Sequence, residues 1–504
     1  MKRLLLASVL FSTTFAAASF AEAREWTIVG PRALGMGGAG VAVANDATAS
    51  YWNPAAFGFF KDSTGGEYGS RNWSAVVDAG AGAQVHEDLG EQIDVLSNID
   101  FGIFTGGSVG LAQVPEFIES VSELKTFADN PDRALTVSAN SGVRTQFGRY
   151  GLAGYAFADI SAKGDLDLDN IGPTADGTAT FDITELTDPA TYGCGGGCVT
   201  TGFFSGAERT QLQSYLTGLG WAAGDATDFI NIVENGIAAQ PLADQPTSSE
   251  AVAQVQNAAT VLDAAAGVNG GTIDQNESKV LFRGVGVAEV PLTYGRKIND
   301  DFAVGGNVKY MRARVYNVSI DVAGKDFGDA LNEATDTHSD SSNFGIDLGA
   351  LYRFGDKLRV GVVARNVNSP SFEMTPLVPG GQDSIEEEVQ VRAGVAYRPF
   401  GSLILAADID LTENETSIAD GAGTSRLVSA GVEGNLFNFL QLRAGIYKNL
   451  SNDDIGPVYT AGFGLNFWAV NLDLGAAMSS GTTTIDGNDI PKELRAELAL
   501  SALF

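Results

Sequence analysis

The chain has 504 residues, 44% hydrophobic and only 18% charged, with 62 glycines and a formal charge of −31. So acidic a chain is excluded from nucleic-acid binding by phosphate neutralisation, and 28 Phe, 13 Tyr and 5 Trp exclude a disordered or low-complexity protein. Mean hydropathy is nevertheless +0.04, with no apolar block long enough for a spanning helix.

Residues 1–23 are predicted as a signal peptide. Lys2 and Arg3 precede the apolar run Leu4–Leu10, and Ala21-Glu22-Ala23 has the small-x-small pattern for cleavage after Ala23. Export is implied, and the mature chain would start at Arg24 with a charge of −32. Residues 24–60 are rich in glycine and run Gly30-Pro-Arg-Ala-Leu-Gly35-Met-Gly37-Gly38-Ala-Gly40, then Asn45-Asp46 and Asn53-Pro54-Ala55. A phosphate loop is excluded, because no Lys-Ser/Thr follows. The glycines allow tight bends and close approach to a wall, and Pro54 biases Asn53 away from helix.

The C-terminal half of the chain reads almost entirely in period two. Fourteen segments are predicted as strands, from 67–80, 134–147 and 150–162 through 358–372 and 386–398 to 492–504. Leu440, Leu442, Ala444 and Ile446, for example, oppose Gln441, Arg443, Gly445 and Tyr447. Segments of this length, with one apolar and one polar face, fit an all-β, 14-stranded antiparallel transmembrane β-barrel with a wet lumen. Short turns alternate with long loops, which puts both termini in the periplasm. The lumen is expected to be lined by Asp347, Arg353, Arg365, Arg392, Asp408, Asp410, Glu433, Arg443, Asp473, Arg495 and Glu497. Mixed-sign charges of this kind pair mainly with one another. Pro291 predicts a kink or a break in strand pairing.

The longest loop, 163–278, holds 16 acidic residues against Lys163 and Arg209. Asp165, Asp167, Asp169 and Asp176 overlap EF-hand spacing, but Asn170 stands at the glycine position and Asp176 replaces the bidentate Glu. A protruding acidic strand is the simpler reading, and no metal site or cofactor is predicted. Cys194 and Cys198 flank three glycines and are expected to form a small disulfide staple. Ser205 with Glu208, and Thr247 with Glu250, have capping-box spacing ahead of amphipathic repeats. Asp228 to Glu234, ending at Asn235-Gly236, is a third short helix. Phe117, Ile118, Val121 and Leu124 mark another helix in loop 81–133. These helices either form a cap packed on itself or line a groove for incoming hydrophobic molecules. His86 and His338 both fall in loop-like sequence, with no paired base nearby, so an enzyme is not expected.

The last segment, Leu494 to Phe504, ends on an aromatic, which resembles the assembly signal read by the barrel-assembly machinery. The Gly-rich start, Asn45-Asp46 and Asn53-Pro54-Ala55 resemble the long-chain fatty acid transporter (FadL) superfamily. The second half, with Asp408-Ile-Asp410 and Leu440 to Tyr447, is most similar to its branch labelled conjugal transfer protein TraF. The resemblance implies an N-terminal hatch, 24–60, plugging the barrel 61–504, with Gly35, Gly37, Gly38, Gly40, Asn45, Asp46, Asn53, Pro54 and Ala55 as hatch and gating residues. It implies an outer-membrane protein of a Gram-negative bacterium, in contact with lipid and lipopolysaccharide, that takes up a hydrophobic ligand passively. The alternative is an envelope interaction protein of a conjugation or secretion apparatus that transports nothing.

Overall fold

Alternating apolar and polar residues in long strands require a dry side and a wet side, and a closed barrel leaves no unpaired edge in lipid. The computed structural model describes residues 24–60, 73–90, 109–130, 132–172, 181–194, 197–267, 271–321, 337–377, 379–418, 423–437, 439–485 and 487–503. Residues 1–23, expected as a signal peptide, Asp176 and Phe504 lie outside the described residues.

Fourteen antiparallel strands close on themselves. They are β1 (Trp73–Val85), β2 (Ala134–Phe147), β3 (Tyr150–Asp165), β4 (Lys279–Lys297), β5 (Phe302–Asp321), β6 (Ser339–Phe354) and β7 (Leu358–Arg365). Then follow β8 (Gln390–Phe400), β9 (Leu403–Asp410), β10 (Leu427–Leu436), β11 (Leu440–Asn449), β12 (Val458–Phe467), β13 (Val470–Ser479) and β14 (Glu493–Leu503). Closure is made by β1 and β14, from Ser74↔Leu503 to Gln84↔Glu493. Outward residues such as Val143, Leu152, Leu292, Val308, Leu348 and Leu500 are exposed, as a lipid-facing band requires. Exposed aromatics gather at the short-turn end, where Phe437 and Trp468 hold left-handed φ values of 57° and 65° in their turns. No helix among the described residues is long and apolar enough to cross a membrane.

Three strands differ most from the sequence expectation. The first strand is Trp73–Val85 rather than 67–80, because Ala79-Gly80-Ala81-Gly82-Ala83 carries almost no polarity contrast yet pairs fully with β2 and β14. The seventh ends at Arg365 rather than 372. Asn366 and Ser369 adopt positive φ, and Ser371–Glu373 pairs with Ser384–Glu386 in a separate hairpin. That hairpin also trims the start of β8.

Pro291 interrupts the wall on one side only. β3 and β4 keep one register from Tyr150↔Tyr294 to Asp165↔Lys279, but Ala153 and Gly154 form no ladder pairs with Pro291 and Val290. Pairing to β5 continues through Pro291↔Lys309. Proline has no N–H to donate, so the ladder loses a rung where its neighbours are also small.

The loops after β1 and β3 build a helical cap from α3 (Val114–Ala128), α4 (Gly206–Leu219), α5 (Ala223–Ala239) and α6 (Ser248–Gly267), α1 and α2 being short hatch helices described below. Phe117, Val121, Leu212, Leu216, Phe229, Val233, Val255 and Leu262 share one buried cluster, separate from the one inside the barrel. The helices therefore pack on one another rather than around an open groove. Ser205 and Glu208 exchange both capping bonds, as do Thr247 and Glu250. α5 runs through Asn235-Gly236 instead of stopping there. Gly236 lets the helix lie against Leu111 and Pro115, so packing overrides a local stop signal. Cys194 and Cys198 are joined as a disulfide, with Cys198 buried in the cap core. Asp167 accepts from the backbone N–H of Asp169 and Glu277 and from Asn170, which ties the loop ends together. Among the described residues no group of acidic, His and Cys side chains could hold a metal ion.

Glu234 on α5 organises the segment leading into α4. It is fully buried and accepts from Thr200 Oγ1 (2.8 Å), Thr201 N (3.0 Å) and Phe204 N (3.1 Å), and it pairs with Arg209 at 2.9 Å. Burial alone would raise its pKa, but these donors outweigh burial and hold it below the usual carboxylate range. Its stabilisation is therefore present above the unfolded-state pKa and is lost as pH falls through the depressed folded value. Replacing Glu234 by Ala should cost about 1–3 kcal/mol, since it removes the acceptor of the buried Phe204 N–H and of the Thr200 and Thr201 donors, and the charge partner of Arg209. Faster proteolysis within 199–205, with the barrel intact, is the expected readout.

Candidate functional site

Residues 24–60 lie inside the barrel as a hatch. Its short helices are α1 (Pro31–Gly35) and α2 (Ala49–Trp52), followed by a 3-10 turn, Pro54–Phe59. An aromatic cluster holds it together. Trp26, Tyr51 and Trp52 contact one another, and Tyr51 reaches Tyr155 and Phe157 on the wall. Tyr51 donates to Thr27 O at 2.6 Å and Trp52 Nε1 to Val29 O at 2.9 Å, so these buried rings satisfy their polar ends.

Backbone meets backbone where hatch and wall touch. A Cβ on Gly431 would lie 2.3 Å from Met36 O, and one on Gly445 would lie 2.3 Å from Gly37 N. Gly305 stands in the same relation to Pro54 O, also at 2.3 Å. Gly37 itself has φ +71° with wall carbonyls on top of it. Gly35 lies against Gly462, Gly38 has φ +85°, and a Cβ on Gly40 would collide with Trp52. The remaining motif residues make local bonds. Asn45 accepts from Arg32 at 2.9 Å, and Asp46 accepts from Thr48. Asn53 caps the 3-10 turn through Ala55 N and donates to Ala350 O on β6 at 3.1 Å. Pro54 begins that turn, where no N–H is needed, and Ala55 is buried.

Ion pairs tie the hatch to the wall. Arg32 grips Glu433 with two bonds, of 2.7 and 2.8 Å, and Arg443 bridges Glu433 and Asp473 at 2.8 and 2.6 Å. Asp408 accepts from Gly40 N and Val41 N at 2.7 and 2.9 Å. Arg392 pairs with Asp410, and Arg495 with Glu25 of the hatch and Glu493, both at 2.6 Å. A second network joins Arg24 to Glu387 (2.6 Å) and Glu289 (3.2 Å), with Lys309, Arg365 and Asp347 around them. Glu497 accepts from Asn140 at 3.2 Å, and Arg144 pairs with Asp78.

The structure thus brings ten of the expected lumen residues onto the inner wall. Arg353 sits apart at the short-turn rim, its guanidinium 3.6 Å from the centre of the Phe59 ring and donating to Asp300 O. Arg283, Glu289, Lys309, Glu387, Asp78, Arg144 and Asp159 are buried lumen charges that sequence reading missed. Arg283, Glu289 and Lys309 alternate with aliphatic residues in β4 and β5, so the signal for these three was present.

Three features bear on passage. A cavity of about 240 Å³ near the short turns is lined by Arg32, Asp46, Glu433, Arg443 and Asp473. In the external half, the inner wall carries Val285, Val287, Met311, Ala313 and Val315, covered by Phe372, Met374 and Ile385 of the 371–386 hairpin. The interrupted rung between β3 and β4 lies beside the hatch, because Tyr155 Oη and Ser50 Oγ are 2.6 Å apart.

The family model described as "F plasmid transfer operon, TraF, protein" matches residues 51–410. The chain belongs to that family. The match starts at Tyr51 of the hatch and ends at Asp410 of β9, so it includes the cap and the wall residues of the second ion network but not Arg24. Comparison with curated proteins finds no match. Among solved structures, the Ralstonia pickettii toluene transporter TbuX is 11% identical with a TM-score of 0.45, over 95% of this chain and 99% of that one. The CymD monoaromatic hydrocarbon channel is 12% identical with a TM-score of 0.43, over 96% and 99%. A Pseudomonas aeruginosa FadL homologue is 10% identical with a TM-score of 0.41, over 97% and 99%. The likeness is one of fold.

Two substitutions in this TraF-family chain probe hatch seating. Gly37→Ala places a Cβ about 2.5 Å from Ile446 O at positive φ, and should cost more than about 1 kcal/mol. Arg443→Met leaves Glu433 and Asp473 short of a buried partner and should cost about 3–5 kcal/mol. Both should speed labelling of a cysteine placed at Ser50, while the folded barrel persists in detergent.

Proposed function

We propose that this chain is an outer-membrane conduit for a small hydrophobic molecule in a Gram-negative envelope, gated by hatch 24–60. The observation that carries the reading is the missing rung at Ala153–Gly154 and Val290–Pro291, beside the hatch's aromatic cluster. The lining of the short-turn cavity includes Arg32, Asp46, Glu433, Arg443 and Asp473, so an apolar molecule leaving there would have to pass paired charges. Sideways exit into lipid keeps the molecule in apolar surroundings throughout. The path begins at the aliphatic inner wall beneath the 371–386 hairpin and passes Glu289 to reach Pro291 on the same strand. Arg24 pairs with Glu289, so the hatch must loosen before the path opens. Gly35, Gly37, Gly38, Gly40, Asn53 and Pro54 set how the hatch sits. Differential ligand affinity for the two hatch positions supplies the drive, without nucleotide.

The helical cap, with a core of its own, favours a second reading as a docking head for another envelope protein. Closing the gap separates the two. Pro291→Val with Gly154→Val should slow hydrocarbon uptake into proteoliposomes by about tenfold, equivalent to ~1.4 kcal/mol on the barrier. Native mass spectrometry should still find a bound hydrophobe. Unchanged uptake would remove the lateral route. A barrel without bound hydrophobe, electrically silent with and without residues 24–60, would remove the conduit altogether.

A further inference from the structure

The first residue of the expected mature chain is not at the surface. Arg24 is 6% exposed, and its guanidinium lies 4.8 Å from the centre of the Phe157 ring. Its carbonyl oxygen accepts from Gln390 Nε2 on β8. Its side chain belongs to a network of three cations, Arg24, Lys309 and Arg365, and three carboxylates, Glu289, Glu387 and Asp347. That network is electrically closed.

Asp159 is left over. It is 8% exposed, on the inner face of β3 two residues beyond Phe157, and makes no hydrogen bond or ion pair with any described residue. Its strand partners are Ser138 and Val285, which bring no charge. Arg283, the next inward cation along β4, donates to Asn317 on β5. The charges that act on Asp159 are Arg24, Glu25, Arg495 and Glu387, and Arg24 and Arg495 both have carboxylates of their own. A buried carboxylate without a counter-ion is costly enough that folded proteins rarely keep one.

We propose that the α-ammonium group freed by cleavage after Ala23 is a structural charge of the lumen, with the Asp159 carboxylate as its counter-ion. Hydrolysis of the Ala23–Arg24 bond consumes one water and leaves a carboxylate on the leader and an ammonium on Arg24. The new positive charge arises on the very residue whose side chain already acts on Asp159. In the uncleaved chain that nitrogen is a neutral amide, and the leader continues from a residue buried in the lumen. Processing therefore precedes hatch seating, and the lumen reads whether it has occurred. The proposal stands independently of any transport activity.

The test uses the mature chain refolded in detergent, its N-terminus carrying ¹³C-dimethyl groups that preserve the charge. The α-amine should titrate at least about one pH unit above its value in the urea-unfolded chain, and Asp159→Asn should abolish the difference. Equal titration in the folded, unfolded and Asp159→Asn states would overturn the proposal, as would a natural N-terminus elsewhere than Arg24 by mass spectrometry. A chain with one alanine added before Arg24 leaves the wall intact and moves the ammonium. It should expose a Ser50→Cys thiol to labelling faster than the unextended chain, and equal rates would contradict the assignment.

Discussion

A wall of fourteen strands encloses more space than its own side chains can fill, and the rest of the molecule answers that constraint. The filling is the chain's own beginning. To seat it, main chain must approach main chain, and only glycine leaves room on both surfaces. Hence Gly431 against Met36, Gly445 against Gly37, and Gly305 against Pro54, each with space for no Cβ. Part of the high glycine content is thus a fitted contact surface, and it fixes where the hatch can rest.

The same enclosure decides the electrostatics. Charges removed from water must be paired, and here many pairs run between hatch and wall. The hatch brings Arg24, Arg32 and the N–H groups of Gly40 and Val41, while the wall offers Glu387, Glu433 and Asp408. If the hatch withdrew, Glu387 would lose its ion-pair partner and Asp408 two donors, leaving the open lumen more acidic. That imbalance pulls the hatch back. It also makes the central lumen a poor path for an apolar solute, whereas at the gap Ala153 faces the hatch core and Gly154 the outer side, so a solute passing there meets no charge.

Much of this was legible in the sequence wherever one strand face was apolar and the other polar. β2 to β6 and β9 to β14 lie close to their expected limits for that reason. Legibility failed where contrast vanished or distant packing intervened. The Ala-Gly run of β1 reads as a spacer, although Gly80 and Gly82 face Glu497 and Arg495 across the β14 pairing. Asn235-Gly236 reads as a helix stop until Leu111 and Pro115 are seen to need the glycine. The hatch motif could be recognised, but its glycine partners in the wall could not, because they lie hundreds of residues away. Likewise Asp159 looks like any inward acid of a strand until the ion pairs around it are counted.

The place of the acidic insertion links the cap to the gap. Loop 163–278 leaves from the end of β3 and returns at the start of β4, the two strands whose pairing fails at Pro291. Above the break, β3 and β4 pair without interruption from Tyr155↔Glu289 to Asp165↔Lys279, forming a stiff two-stranded stem beneath the cap. α3, from the loop after β1, packs into the same cap core, so the stem is braced against the neighbouring hairpin. A load on the cap is therefore carried by paired strands down to Ala153 and Gly154, which pair with β2 but not with β4. Strands yield where hydrogen bonds are already absent, and in this barrel that place also adjoins the hatch through Tyr155 and Ser50.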